Sequence, residues 1–187
     1  LPICNATITN CIFNGNTTLL DDCDGTGDTL GGAGLRFHKS SPTLTNCTIS
    51  DNSTPCKGGG IALTNNSNPM FDSCTFTGNT AYVGGGMYNN SSSPMLTNCS
   101  FMNNTANSGG GMYNNTSSSP TLTGCTFENN TAAYNGGGMF NYDSSPILTG
   151  CTFAGNTATT QEGGGMYNNS SSPALENCIF EDRKSTR

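Results

Sequence analysis

The fold is decided by residues 84–132, which read GGGMYNNSSSPMLTNCSFMNNTANSGGGMYNNTSSSPTLTGCTFENNTA. The second half of this stretch repeats the first almost residue for residue. The Gly-rich block that opens it recurs along the chain at intervals of 25 to 27 residues, beginning at Gly32, Gly58, Gly84, Gly109, Gly136 and Gly163. Intervals of this size are typical of proteins in which one structural unit stacks on the next.

Three further positions recur in step with the glycines. The first is a cysteine, at Cys11, Cys47, Cys74, Cys99, Cys125, Cys151 and Cys178. An apolar residue stands three positions before it, at Ile8, Leu44, Phe71, Leu96, Leu122, Leu148 and Leu175. Phe or Ile stands two positions after it, at Phe13, Ile49, Phe76, Phe101, Phe127, Phe153 and Phe180. These residues alternate with Thr or Ser, which is the period of a half-buried strand and not that of a helix.

The spacing predicts an all-β fold, a right-handed parallel β-helix of six to seven coils. Each coil is expected to hold three short strands, which lie around Met87, Leu96 and Phe101 in the quoted stretch. The glycine triplets and the NNSSSP segment supply the turns. Because one coil cannot bury its own inner face, the coils must stack, with equivalent residues about 4.8 Å apart. The domain is predicted to span residues 1–181, with a loop insertion at residues 19–30.

Two more columns complete the predicted coil. One is apolar and points inward, and consists of Leu35, Ile61, Met87, Met112, Met139 and Met166. The other is an asparagine at a turn, at Asn16, Asn52, Asn79, Asn104, Asn130 and Asn156. We expect its amides to hydrogen-bond up and down the column, and its backbone to be left-handed.

Composition restricts the classes of function. The formal net charge is −6 and charged residues make up 10% of the chain, which argues against nucleic-acid binding because that requires a basic surface. No apolar run approaches the length of a membrane span. Ten cysteines without zinc-type spacing favour an oxidising compartment. The expected location is therefore extracellular or on a cell surface.

The motif Phe-x-x-Asn occurs in five coils, at Phe13–Asn16, Phe76–Asn79, Phe101–Asn104, Phe127–Asn130 and Phe153–Asn156. With the Gly-Gly-x-apolar motif, it resembles the passenger repeats of chlamydial polymorphic outer membrane proteins over about residues 1–181. The resemblance implies a secreted or surface-displayed β-helix and leaves adhesion as an alternative function. This chain departs from that family in having Gly-Gly-Gly-Met in place of Gly-Gly-Ala-Ile.

A second resemblance concerns the last six residues. They read DRKSTR, residues 182–187, and resemble the translation of a sequencing adapter. We expect this tail to be non-native.

The outward positions argue against catalysis. The residues beside the Met column are Arg36, Ala62, Tyr88, Tyr113, Phe140 and Tyr167, none of which is acidic. His38 is the single histidine, and the carboxylates fall in different columns, so no pair is placed for acid–base work. A polysaccharide-active enzyme would need an acid cluster elsewhere. The stripe of Tyr88, Tyr113, Phe140 and Tyr167 is a candidate surface for stacking on sugar rings, or a cover for the strands.

The insertion contains a candidate calcium site. Its oxygen-bearing residues alternate around Gly27, and are Asp22, Asp24, Thr26 and Asp28. Ca²⁺ prefers six to eight hard oxygen ligands, so this pattern suits the ion, although a solvated acidic loop has the same composition. We expect no other cofactor.

The cysteine column is most simply a stack of small buried side chains. Of the three cysteines outside it, Cys23 and Cys56 lie in loops of adjacent coils, and we predict a disulfide between them.

Fourteen Asn-x-Ser/Thr sequons are present, at Asn5, Asn16, Asn46, Asn52, Asn65, Asn89, Asn90, Asn98, Asn103, Asn114, Asn115, Asn129, Asn168 and Asn169. They would carry N-linked glycans in a secreted eukaryotic protein. The alternative is that Asn, Ser and Thr are simply abundant here.

These features favour a non-catalytic extracellular structural protein, a segment of a cell-surface or fibre-forming solenoid that stacks head to tail. The alternatives are an adhesin-type or carbohydrate-binding passenger and, on the strength of outward Thr arrays, an ice-binding protein.

Overall fold

The computed structural model describes residues 6–19 and 31–181. Within those ranges the chain forms strands and turns and no helix. The strands wind into a right-handed parallel β-solenoid of about six turns, with about 26 residues in each turn. The predicted fold class is thus confirmed.

Three long sheets run along the solenoid, and each is named here by its inward column. The Leu sheet has seven strands: β1 (Thr7–Thr9), β4 (Thr43–Thr45), β7 (Met70–Asp72), β10 (Met95–Thr97), β14 (Thr121–Thr123), β18 (Ile147–Thr149) and β22 (Ala174–Glu176). The Phe sheet has seven: β2 (Ile12–Asn14), β5 (Thr48–Ser50), β8 (Thr75–Thr77), β11 (Ser100–Met102), β15 (Thr126–Glu128), β19 (Thr152–Ala154) and β23 (Ile179–Glu181). The Met sheet has six: β3 (Leu35–His38), β6 (Ile61–Thr64), β9 (Met87–Asn90), β13 (Met112–Asn115), β17 (Met139–Tyr142) and β21 (Met166–Asn169).

A fourth, shorter sheet was not anticipated. It contains β12 (Thr105–Ser108), β16 (Thr131–Asn135) and β20 (Thr157–Ala158), and its buried residues include Ala106 and Ala132. We name it the Ala sheet. Its sequences, such as TANS, read as turns because a strand whose inward residue is alanine lacks the alternation that marks the other three sheets.

All pairing is parallel, and within the Leu, Phe and Met sheets it is in register, so equivalent side chains lie on one another; β12 and β16 of the Ala sheet shift register after Ala106. Phe101 pairs with Phe76 on one side and Phe127 on the other. Their rings stack with centroids 4.5 and 4.7 Å apart and interplanar angles of 2° and 3°. The rings are completely buried, and the offset between successive rungs is that of neighbouring strands.

The asparagine column forms the predicted amide ladder. Asn104 donates from its backbone N–H and from Nδ2 to Oδ1 of Asn130, at 3.0 and 2.9 Å, and also from Nδ2 to the carbonyl of Phe76 at 3.0 Å. Its own Oδ1 accepts from the backbone N–H and Nδ2 of Asn79, each at 3.0 Å. Every hydrogen-bonding position of this buried amide is therefore satisfied.

The prediction that these asparagines are left-handed is wrong. The residue with positive φ is the one before each, at Gly15, Asp51, Gly78, Asn103, Asn129 and Gly155. One left-handed residue is enough to turn the chain, and the asparagine after it then directs its amide inward.

A serine ladder crosses the turn between the Met and Leu sheets. The hydroxyl of Ser118 accepts from the backbone N–H of Ser92 at 3.1 Å and donates to the carbonyl of Asn115 at 2.6 Å. The same bond from backbone N–H to serine Oγ links Ser40 to Ser67, Ser67 to Ser92, Ser118 to Ser144 and Ser144 to Ser171. Where strand pairing stops, hydroxyls thus satisfy the backbone.

Close approach of successive coils explains the glycine triplet. A Cβ on Gly111 would lie 2.5 Å from the carbonyl oxygen of Gly138 and 2.9 Å from Cδ1 of Phe127. The first glycine of the triplet, Gly109 in this coil, has φ of +63°. The triplet therefore meets two different demands, a left-handed backbone and the absence of a side chain.

Candidate functional site

The aromatic stripe on the Met sheet is partly covered. Successive ring centroids of Tyr88, Tyr113, Phe140 and Tyr167 are 5.8, 4.6 and 5.2 Å apart, the first pair being tilted and the other two stacked. Tyr88 and Phe140 are only 4% and 6% exposed, whereas Tyr113 and Tyr167 are half-buried, and stacking on sugar rings stays a prediction. The faces of these rings contact the neighbouring rings of the stripe. Nζ of Lys57 lies 5.6 Å from the centroid of the Tyr88 ring.

Burial changes the acidity of these tyrosines. It raises the pKa of Tyr113 to about 12, and the neighbouring Tyr88 and Tyr142 add a smaller contribution in the same direction. Burial also raises the pKa of Tyr88, against the hydrogen bond that its hydroxyl accepts from Nδ2 of Asn115 at 3.3 Å. The stripe is therefore part of the packed structure.

An open polar groove lies at the turn between the Met and Leu sheets. Its larger lobe, of about 720 Å³, is lined by Lys39, Ser41, Asn65, Asn66 and Ser91. A smaller lobe, of about 300 Å³, is lined by Asn66, Asn68, Ser91, Ser93, Thr116 and Ser117. Every lining residue carries a hydroxyl or an amide group except Lys39, which adds one positive charge.

A difference of one residue in turn length creates this groove. The turns at Asn65–Asn66 and Thr116–Ser117 each hold two left-handed residues before the ladder serine, whereas the turn between them holds one, Ser91. In the smaller lobe the short turn at Ser91 lies between the two longer turns, and in the larger lobe the longer turn at Asn65–Asn66 lies between the short turns at Lys39 and Ser91. The sequence contains this difference, as one extra residue after strands β6 and β13. Aligning the coils by their Gly, Cys and Phe columns does not reveal it.

Two carboxylates of the described residues are held by local hydrogen bonds. Asp51 accepts from Nδ2 of Asn14 at 3.1 Å, and Asp72 accepts from the hydroxyl of Ser73 at 3.0 Å. The ring of His38 lies with Nδ1 3.1 Å from the hydroxyl of Thr64. Across residues 6–19 and 31–181, no three His, Cys, Asp or Glu side chains converge as a metal site.

The sequons occupy three kinds of position. Asn52, Asn89 and Asn114 are fully buried, and Asn89 and Asn114 belong to a second amide ladder on the Met sheet, with Nδ2 of Asn89 2.7 Å from Oδ1 of Asn114. A buried amide cannot carry a glycan in the folded protein, so glycosylation at these three is no longer expected. Half-buried sequons are Asn65, Asn90 and Asn115, and exposed ones are Asn16, Asn46, Asn98, Asn103, Asn129, Asn168 and Asn169.

Several predicted site residues lie outside the described residues. They are the four candidate calcium ligands Asp22, Asp24, Thr26 and Asp28, the sequon at Asn5, and Cys23. Cys56 is buried and is not one of the seven free cysteines of the described chain. The calcium site and the Cys23–Cys56 disulfide stay predictions, and mass spectrometry without reduction tests the disulfide.

The two outward threonine arrays differ in continuity. On the Leu sheet the array of Thr9, Thr45, Thr97, Thr123 and Thr149 is interrupted at Asp72 and followed by Glu176. On the Phe sheet the array of Thr48, Thr75, Ser100, Thr126 and Thr152 is continuous, and the outward column beside it contains Met102 and Glu128. The ice-binding face stays a prediction.

Comparison with protein families identifies one to which the chain is similar over most of its length. The family model described as "Right handed beta helix region" matches residues 3–133 and residues 89–186. No curated protein matches the chain. The part of the chain that the structure describes contains no helix that is both long and apolar enough to cross a membrane.

Proposed function

The chain belongs to the right-handed β-helix family, and from this premise we propose that it is a non-catalytic, extracellular structural protein, part of a cell-surface or fibre-forming solenoid. The family includes enzymes as well as proteins without catalytic activity. The observation that carries the proposal is the continuity of the ladders. Among the described residues the Cys column runs from Cys11 to Cys178, the Phe column from Phe13 to Phe180 with Ile49 in one coil, and the Asn column from Asn16 to Asn156.

The stability that the ladders contribute, coil by coil, suits a structural role. Each interior coil contributes the same stack of rings and the same satisfied amide, so the rod gains similar stability with every coil. Stacked aromatic rings and amide ladders also contribute to the high stability of cross-β fibrils against unfolding. A protein built this way withstands conditions outside the cell without a large core.

The open face of the last described coil supports head-to-tail stacking. Leu175 and Phe180 are 47% and 41% exposed, whereas Leu148 and Phe153, their counterparts in the preceding coil, are fully buried. A further coil placed there would bury both side chains and pair β22 and β23 on their free edges. That coil is supplied either by the same chain or by a second copy.

Electron microscopy of the purified chain tests this proposal. We expect filaments one solenoid wide, and we expect Phe180→Glu to shorten them because it places a charge in the stacking face. The matched control is Ile147→Glu, which adds a charge at an exposed lateral position and should leave the filaments unchanged. Single rods of uniform length, or filaments abolished by Ile147→Glu alone, would contradict head-to-tail stacking.

N-linked glycans fit the same proposal. Few charges cover this surface, so another group must keep the rods from associating side by side. The exposed sequons stand in turns, for example at Asn98 and Asn103, where a glycan projects from the rod. The likeness to surface-displayed passenger repeats supports an extracellular location.

The turn groove favours a second candidate function, carbohydrate binding by an adhesin-type surface protein. Its hydroxyl and amide lining, with Lys39 at one lobe, suits sugar hydroxyls and an acidic sugar. A panel of neutral and uronate-containing oligosaccharides tests it. Lys39→Asn and Asn66→Gly keep the left-handed backbone and should weaken binding, whereas Ser170→Asn, outside the groove, should not. Binding equal in all three variants would exclude the groove.

A further inference from the structure

Seven free thiols form one continuous column inside the solenoid. We call Cys11, Cys47, Cys74, Cys99, Cys125, Cys151 and Cys178 the thiol column. The five inner members are at most 1% exposed, and the two outer members are half-buried. Packing alone would accept alanine or valine at such positions, whereas each coil here supplies a sulfur.

The sulfurs are held in line by the sheets on both sides. Cys99 and Cys125 stand between Thr97, paired with Thr123, and Ser100, paired with Thr126. Since the register is the same before and after the cysteine, the two thiols lie on one another. The phenylalanines two positions later repeat every 4.5 to 4.7 Å, and the thiols follow the same coil spacing.

This spacing matches two metal–sulfur bonds placed end to end. A zinc–thiolate bond is about 2.3 Å long, and we use this length for a cation of similar radius. Such a cation, midway between successive sulfurs, would be bound in linear geometry without moving the backbone. Soft cations choose thiolate ligands. We propose that the thiol column binds monovalent thiophilic cations, each held between the sulfurs of two successive coils.

The binding step balances in charge and protons. Two thiols and one cation give a thiolate and a thiol that share the cation, with one proton released to water. The bound pair is neutral, which avoids the cost of an isolated buried charge. Little is lost on the protein side, because the sulfur of Cys99 lies 3.4 Å from the carbonyl oxygen of Thr97 and 3.6 Å from that of Phe71, distances of weak hydrogen bonds.

Each sulfur can serve one cation only. A bridging sulfur would need two metal bonds pointing in opposite directions along the axis, which its lone pairs do not allow. Seven thiols paired in succession therefore hold three cations. Removing the fourth thiol, Cys99, leaves two runs of three and room for two cations. Removing the fifth, Cys125, leaves runs of four and two, and room for three.

Titration of the chain with Ag⁺ tests whether the number of bound ions depends on which thiol of the column is removed. Native mass spectrometry should count one silver ion fewer for Cys99→Ser than for Cys125→Ser, although each variant loses one thiol. Cysteines outside the column contribute equally to both and cancel. The unsubstituted chain should release one proton for each silver ion bound, measured at constant pH, with an unchanged β-type circular dichroism spectrum. Zn²⁺ requires four ligands and should not bind the column.

Three results would overturn the proposal. Equal silver counts in the two variants would mean that the thiols bind independently or not at all. Loss of the β spectrum on binding would mean that silver reaches only unfolded chains. Proton release with Zn²⁺ equal to that with Ag⁺ would exclude linear binding. The silver count of the unsubstituted chain decides the question even where a serine variant fails to fold. Paired binding gives three ions in the column and at most three at the other cysteines, whereas independent binding by the seven column thiols gives at least seven.

Discussion

Nδ2 of Asn104 donates to Oδ1 of Asn130 at 2.9 Å, and the same carboxamide of Asn104 accepts two hydrogen bonds from Asn79. Replacing Asn104 by leucine keeps the branched shape of the side chain and removes all these bonds. We expect the free energy of unfolding to fall by roughly 3 to 5 kcal/mol, because several buried backbone and amide groups lose their partners. Urea unfolding measures the change.

The matched control is its neighbour Asn103, which is exposed and left-handed, with φ of +55°. Asn103→Gly should change stability by less than about 1 kcal/mol. Comparable losses in the two variants would show that the ladder does not carry stability.

Gly111 offers a test of the coil spacing. A Cβ there would overlap the carbonyl oxygen of Gly138 at 2.5 Å, so we expect Gly111→Ala to destabilise by about 3 kcal/mol or more. Gly150 also is a glycine at a turn, but nothing lies within 4 Å of its Cβ position. Gly150→Asn should be tolerated, since Asn46 and Asn98 occupy the same left-handed position in other coils. Thermal unfolding of both variants decides between spacing and a general need for glycine.

Alkaline pH should unfold the protein through its buried tyrosines. The pKa of Tyr113 is raised from 10.0 to about 12, so the unfolded chain loses this proton first as the pH rises. The stabilising contribution is complete below about pH 10 and is lost as the pH passes through 12. Tyr113→Phe should flatten the decline of the urea midpoint over this range, whereas Tyr134→Phe, at an exposed ring, should leave it unchanged. An unaltered decline in Tyr113→Phe would mean that another group governs alkaline unfolding.

Calcium should stabilise the chain if residues 19–30 bind it. Addition of millimolar Ca²⁺ is expected to raise Tm by several degrees, because an ion bound only by the folded state shifts the unfolding equilibrium. Asp24→Asn should remove the rise, and Asp143→Asn, on an exposed turn elsewhere, should retain it. A Tm that is the same with Ca²⁺ and with chelator excludes the site.

Secretion from a glycosylating host tests the sequons. Peptide mapping should find glycans at the exposed Asn98 and Asn129 and none at the buried Asn89 and Asn114. A glycan at Asn89 would require the Met sheet to open, because its Nδ2 is bonded within the amide ladder. That finding would contradict the packing of the sheet described above.

The second amide ladder shows where prediction from sequence stopped. It begins at Asn89 because the preceding coil has Leu63 at the paired position, and among the described residues Asn89 Oδ1 has no donor. From the sequence, both asparagines of the repeated MYNN motif belong to the predicted NNSSSP turn and are sequons. The motif does not indicate that the first of the two asparagines points inward, because polar residues ordinarily lie on the protein surface.

The repeat pattern alone predicts the stacking of the coils. A constant repeat length fixes the same residue in every coil, and parallel strands with a period of two leave no freedom in register once Leu, Cys and Phe must all face inward. The conformation and burial of residues at the turns depend on the tertiary structure. Which residue adopts the left-handed backbone, whether Tyr88 is open or covered, and how a one-residue difference in turn length opens a groove at Ser91 depend on contacts between coils. Those contacts are set by neighbours some 26 residues away, and a repeat read one coil at a time does not contain them.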